Sequence, residues 1–139
     1  MGEIEIYFEI GTLPESVTAE AGIENLPVLM KYEYNQSIRN GQIYKELQQR
    51  ENDYIYFEES YFAEFVEYPH QIRQSKNNSL LLVRSYAGYY WEGRKHDAES
   101  YALRIVKTTD DKNKPCWEAI EFDINYTAKQ NDTLLWQTK

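Results

Sequence analysis

The side chains best suited to covalent or acid–base chemistry are one cysteine, Cys116, and two histidines, His70 and His96. A thiolate nucleophile needs a base within hydrogen-bond reach, so Cys116 would depend on the fold to bring one of those imidazoles to it. Its setting, between Pro115 and Trp117 at the start of an alternating run, reads instead as a small apolar residue packed in a core. His96 lies in Arg94-Lys95-His96-Asp97, a polar stretch that reads as a solvated loop. Asp110-Asp111 falls between two strand-like runs, where Asp serves a turn by accepting hydrogen bonds from backbone amides. There is no glycine-rich phosphate loop, no GxSxG elbow, and no CxxC or HExxH spacing. These residues therefore designate no catalytic group, no metal ligands and no cofactor, and the chain reads as a non-enzyme. An enzyme whose carboxylates come from distant strands would leave no local signature, and it stands as an alternative.

Residues suited to recognition are more prominent. The chain carries 15 Lys and Arg against 23 Asp and Glu, a net charge of −8. That balance excludes a protein held on nucleic acid or anionic lipid by its overall charge, though not a local basic patch. The charge is unevenly spread: residues 1–70 contain 14 acidic and 4 basic side chains, and residues 71–139 contain 9 and 11. Within the acidic half, residues 51–68 hold six carboxylates, seven aromatics and no Lys or Arg. In one reading the aromatics are core and the carboxylates are the wet face that keeps a Tyr-rich protein soluble. In the other, Glu58, Glu59, Glu64 and Glu67 steer a basic protein partner, and Tyr54, Tyr56 and Tyr61 anchor it. Acidic antagonists of the immunity type, and acidic accessory subunits of nucleic-acid-handling complexes, follow the same physical logic. The leading expectation is a non-enzymatic interaction protein, an inhibitor or accessory subunit, bound to a basic partner that itself handles nucleic acid.

The basic half suggests two other readings. Tyr89, Tyr90, Trp91, Arg94, Lys95 and His96 mix rings with cationic groups, the combination that single-stranded nucleic acid requires, so a nucleoprotein subunit is one alternative. Strand-end aromatics also pack sheets and barrel mouths. The second alternative is a small-ligand β-barrel, with Arg84 or Arg104 as a polar contact inside it.

The elements that must position these residues are mostly strands. Ile4, Ile6, Phe8 and Ile10 alternate with Glu3, Glu5, Tyr7 and Glu9, the pattern of a half-exposed strand. A helix capped at Thr12 follows, with Pro14 and Glu15 behind it. A strand over 28–34 leads to Asn40-Gly41, a type I′ turn pair, and a returning strand over 42–48; a helix over 37–49 is the rival. Tyr54 to Phe57 reads as a short strand, and Ser60 to Glu67 as a helix ending before Pro69. Long strands are expected over 80–91, 101–107 and 116–126, the last with Ile120, Phe122, Ile124 and Tyr126 inward, and a short one over 134–136. The expected class is mainly β, a β-rich α+β domain spanning 1–139. It should be a single antiparallel curled sheet of seven or eight strands, or a small barrel, with one or two short helices. No apolar run approaches the roughly 18 residues of a membrane span, no secretory signal opens the chain, and a lone cysteine forms no internal disulfide, so the chain reads as cytoplasmic.

Overall fold

A computed structural model describes the backbone of residues 4–39, 42–49, 59–128 and 131–139, and the side chains of 7–31, 62–128 and 131–139. Along the chain come β1 (Ile4–Thr12), α1 (Glu15–Ala21), β2 (Pro27–Arg39), β3 (Gln42–Gln49), α2 (Glu59–Glu67) and β4 (Gln71–Gln74). They are followed by β5 (Leu80–Tyr86), β6 (Tyr89–Trp91), β7 (Arg94–His96), β8 (Glu99–Thr109), β9 (Pro115–Asp123) and β10 (Thr133–Gln137). Seven strands lie side by side in the order β1-β2-β9-β8-β5-β4-β10, β3 lies beside β2, and β6 pairs with β7 in a separate ribbon.

The mainly β class with two short helices agrees with the alternation in the sequence, but the sheet is mixed and open. It is neither wholly antiparallel nor closed into a barrel. The exception is β2, which runs parallel to β9 through Val28↔Trp117 and Met30↔Ala119. Alternation specifies which face a residue occupies and is silent on which strand lies next door, so a pairing between the two ends of the chain leaves no local trace. An open sheet also lacks the enclosed interior on which the small-ligand reading rests.

Where local chemistry decides, expectation and structure agree. The β2–β3 register closes at Arg39↔Gln42, a two-residue connection, so the hairpin prevails over the rival helix; the turn residues 40 and 41 lie outside the described ones. The short strand expected at Tyr54 to Phe57 also lies outside them. Helix α1 begins later than a Thr12 cap would place it, with Pro14 at the N-cap position and no side-chain cap. It ends in a Schellman arrangement, the Ile23 amide donating to Thr18 O at 3.0 Å. Asp110 serves its turn as expected, its Oδ1 accepting the amides of Lys112 at 2.8 Å and Lys114 at 2.9 Å. Among the described residues, no helix is long and apolar enough to cross a membrane.

Both helices cover one face of the sheet. Phe62, Phe65 and Val66, spaced three and four apart on α2, join Ile10, Val28, Met30, Leu82, Leu103, Ile105 and Phe122 in one core. Helix α1 and the segment after it are pinned there by two indoles: Trp136 Nε1 donates to Glu20 Oε2 on the helix at 2.7 Å and Trp117 Nε1 to Glu24 O just beyond it at 3.0 Å. A bulge in β1 brings α2 close. At Gly11 φ is 155°, and a Cβ there would sit 3.3 Å from Val66 Cγ1.

The strand expected over 116–126 departs from simple alternation. Ile105 pairs with Ala119 but Leu103 pairs with Phe122, so β9 has one residue more than β8 at this point. The bulge puts Ala119 and Phe122 on the same inner face although they are three apart. Beyond it Ile124 is 55% exposed rather than inward, and Tyr126 is buried on the opposite face with Leu81, Val83 and Ala102. There the Tyr126 hydroxyl donates to Asp132 Oδ2 at 2.7 Å, and burial drives the phenol pKa far upward. On that face too, Arg104 donates to Ser79 Oγ at 2.5 Å and to Glu121 Oε2 at 3.2 Å, closing the β4–β5 turn.

Two substitutions test this packing. Gly11→Ala adds a Cβ against Val66 in a backbone region that side chains avoid, and should cost about 1–3 kcal/mol. Phe122→Ala should cost about 3–5 kcal/mol by emptying the contact with α2. Urea unfolding midpoints measure both, and an unchanged midpoint in either variant would show that α2 is not packed as described.

Candidate interaction surface

The strand expected from Leu80 to Trp91 breaks after Tyr86, and the chain leaves the sheet as an arm. Its register is Tyr89↔His96, Tyr90↔Lys95 and Trp91↔Arg94. Glu92 and Gly93 have φ of 51° and 73°, the left-handed pair of a two-residue hairpin turn. Arg94 to His96 is therefore a strand, not a loop. At the root the two strands approach so closely that a Cβ on Gly88 would lie 2.8 Å from His96 O, which admits only glycine.

Alternation along the arm puts Tyr89, Trp91, Arg94 and His96 on one face and Tyr90 with Lys95 on the other. Tyr89 and His96 stack with ring centroids 4.7 Å apart and planes 8° from parallel. Tyr89, Tyr90 and Trp91 remain 57%, 76% and 64% exposed. They pack neither a sheet nor a barrel mouth, contrary to the alternative drawn for strand-end aromatics.

Beside the arm's root lies the end of α2. Arg84 Nη1 donates to Tyr68 O at 2.7 Å and to Glu64 O at 3.2 Å, placing a cation on the negative end of the helix dipole. Its Nε donates to the Tyr86 hydroxyl at 3.2 Å. One guanidinium thus gathers Tyr68 and Tyr86, both exposed, next to the outward-facing Glu64 and Glu67. Tyr86 meets Tyr101 at 5.5 Å, and Tyr101 stacks on Phe122 at 6.1 Å, so this surface is tied to the core by a line of rings.

Of the residues the sequence assigned to a basic partner, Glu64 and Glu67 fall on this surface. Glu59 and Tyr61 belong to α2 by backbone, their side chains lying outside the described ones, as do Tyr54, Tyr56 and Glu58 entirely. Tyr89, Tyr90, Trp91, Arg94 and Lys95 come together as the arm. Arg84 and Arg104, expected as contacts inside a barrel, instead cap a helix and close a turn. Cys116 is buried, and that burial pushes its thiol pKa up, away from a nucleophilic thiolate. Among the described residues no group of His, Cys, Asp and Glu could hold a metal ion.

Sequence reasoning passed over Tyr68, Tyr86 and the role of Arg84, because backbone carbonyl acceptors have no sequence signature. It also passed over His70 as a structural group. His70 Nδ1 accepts the Ser85 amide at 2.8 Å, the ring lies 6.3 Å from that of Tyr86, and β4 starts one residue later. No family of known proteins, no curated protein and no solved structure matches the chain.

His70 makes the arm's root sensitive to pH. Burial, and next the Arg84 charge, hold its imidazole below the usual value of 6.5. Only the neutral ring can accept the Ser85 amide. The stabilisation is therefore complete above pH 6.5 and is lost as pH falls through the depressed folded pKa. Protection of the Ser85 amide, its exchange rate taken relative to that of an unstructured amide at the same pH, should fall in acid, and His70→Gln should remove that pH dependence. A Ser85 amide equally protected on both sides of the His70 titration would refute the assignment.

Proposed function

We propose that the protein is a non-enzymatic, cytoplasmic binding protein that docks on a basic protein partner, as an inhibitor or an accessory subunit, through the surface at the end of α2. The observation that carries this reading is the gathering of exposed Tyr68 and Tyr86 around Arg84, beside the carboxylates of Glu64 and Glu67. Because Arg84 is taken up by backbone carbonyls and a phenol, it leaves these carboxylates facing solvent, where they can steer a cationic surface. The Tyr86 ring, held by Arg84 and packed on Tyr101, supplies anchoring area at low entropic cost, and the exposed Tyr68 ring adds to that area.

The test has two steps. Capture from extracts of the source organism, followed by mass spectrometry, should recover a basic protein, and its association with the purified chain should then be timed against salt. Glu64→Lys with Glu67→Lys should slow association about tenfold, whereas Tyr68→Ala should mainly hasten dissociation. The proposal fails if no basic partner is recovered, or if the association rate ignores both salt and the charge reversal.

A further inference from the structure

The arm has a chemistry of its own, separate from the acidic surface beside it. Each of its three rungs sets an aromatic residue on β6 against a cationic or imidazole residue on β7: Tyr89 with His96, Tyr90 with Lys95, Trp91 with Arg94. Among the described residues, neither Arg94 nor Lys95 is drawn into a side-chain hydrogen bond or ion pair, while Lys31, Arg104 and Lys107 are each paired with a carboxylate. An isolated two-stranded ribbon is marginally stable in water, yet this one carries three large rings in solvent.

From this we infer that the β6–β7 arm is a contact for single-stranded nucleic acid, bases stacking on Trp91 and Tyr90 and phosphates meeting Arg94 and Lys95. A nucleotide presents a flat ring and an anion a few ångströms apart, and the Tyr90–Lys95 and Trp91–Arg94 rungs each offer the complementary pair. A duplex hides its bases and offers mainly phosphates, which two cations on a chain of net charge −8 do not hold. Glu92 in the turn and Asp97 at the root further weaken any purely electrostatic attraction. Affinity on this arm comes from stacking, and its dependence on salt is shallow. The inference goes beyond docking on a basic protein and does not require it.

Fluorescence anisotropy of labelled dT20 and rU20 with the full chain, at about 50 mM salt, tests it. Saturable binding of either strand, stronger than that of a duplex of equal length, is expected; comparing dT20 with rU20 shows which sugar is preferred. Trp91→Ala should weaken binding about tenfold and Trp91→Phe much less, because phenylalanine still stacks. Arg94→Gln with Lys95→Gln should lower the slope of log affinity on log salt by about 1.4, the value for two phosphate contacts on a single strand. Unchanged circular dichroism and urea midpoints would confirm that these exposed substitutions leave the body folded.

Absence of binding up to about 100 μM overturns the inference, as does binding indifferent to Trp91→Ala or a preference for duplex. It is equally overturned if sedimentation shows that the arm is covered by a second copy of the chain, or if Trp91→Ala abolishes capture of the basic protein partner without affecting dT20 or rU20. Because Tyr68→Ala alters the docking surface without changing the net charge, loss of either interaction is read independently of the other.

Discussion

The bulge in β9 opposite Arg104 sets the geometry of the whole functional end. Without the extra residue Ile120, a strand that places Ala119 inward would turn Phe122 toward the other face. With it, Phe122 meets Phe62 and Phe65 edge-on at 5.3 and 5.4 Å, and α2 is seated across β9 as well as β1. The stack of Phe122 on Tyr101, and the contact of Tyr101 with Tyr86, carry that position outward to the end of β5. The arm therefore starts from a point fixed by core packing, although its own strands touch no core.

Rigidity at the root matters more than rigidity at the tip. Where β4 stops, the edge of β5 has one more amide to satisfy, and the His70 side chain takes the place of a strand by accepting from Ser85. Arg84 joins the neighbouring residue of β5 to the helix end, and Gly88 lets the two strands of the arm close on each other. Three different devices thus converge on residues 84–88. The tip is held by a left-handed turn and the β6–β7 pairing, with the Tyr89–His96 stack on the rung nearest the root, which leaves Tyr90 and Trp91 open on its surface.

How far the sequence disclosed this depends on the range of the forces involved. The β2–β3 hairpin, α2 and the Asp110 turn rest on local preferences, and all three were legible. The parallel β2–β9 pairing was not, since its partners come from opposite ends of the chain and either strand alternates equally well in other pairings. Nor was the β9 bulge, whose position is chosen by what Phe122 finds beneath α2. The arm was visible in composition, as rings followed by cations, but not in form: Glu92-Gly93 is a weaker turn signal than Asn40-Gly41, and a polar stretch around it resembles a loop. For the candidate surface, Glu64 and Glu67 could be nominated from charge, whereas Tyr68 and Tyr86 acquire their meaning from Arg84, which acts through carbonyl groups common to every residue.

Within the net charge of −8, the carboxylates of Glu64 and Glu67 stand at the end of α2 and the cations of Arg94 and Lys95 on the arm. On the body of the protein three cations meet carboxylates directly: Lys31 with Glu118 at 3.7 Å, Arg104 with Glu121 at 3.2 Å, and Lys107 with Glu24. Among the described residues Arg94 and Lys95 make no such pair; Arg94 stands on the outermost rung, opposite Trp91, and Lys95 on the middle one, opposite Tyr90. The screening length at physiological salt is about 8 Å, so charges farther apart than that act on each other weakly. On the two proposals above, a basic protein would meet the acidic surface at the end of α2 and a single nucleic-acid strand the arm. The break after Tyr86 and the tight turn at Glu92-Gly93 put Arg94 and Lys95 on a ribbon of their own, outside the main sheet that carries Lys31, Arg104 and Lys107.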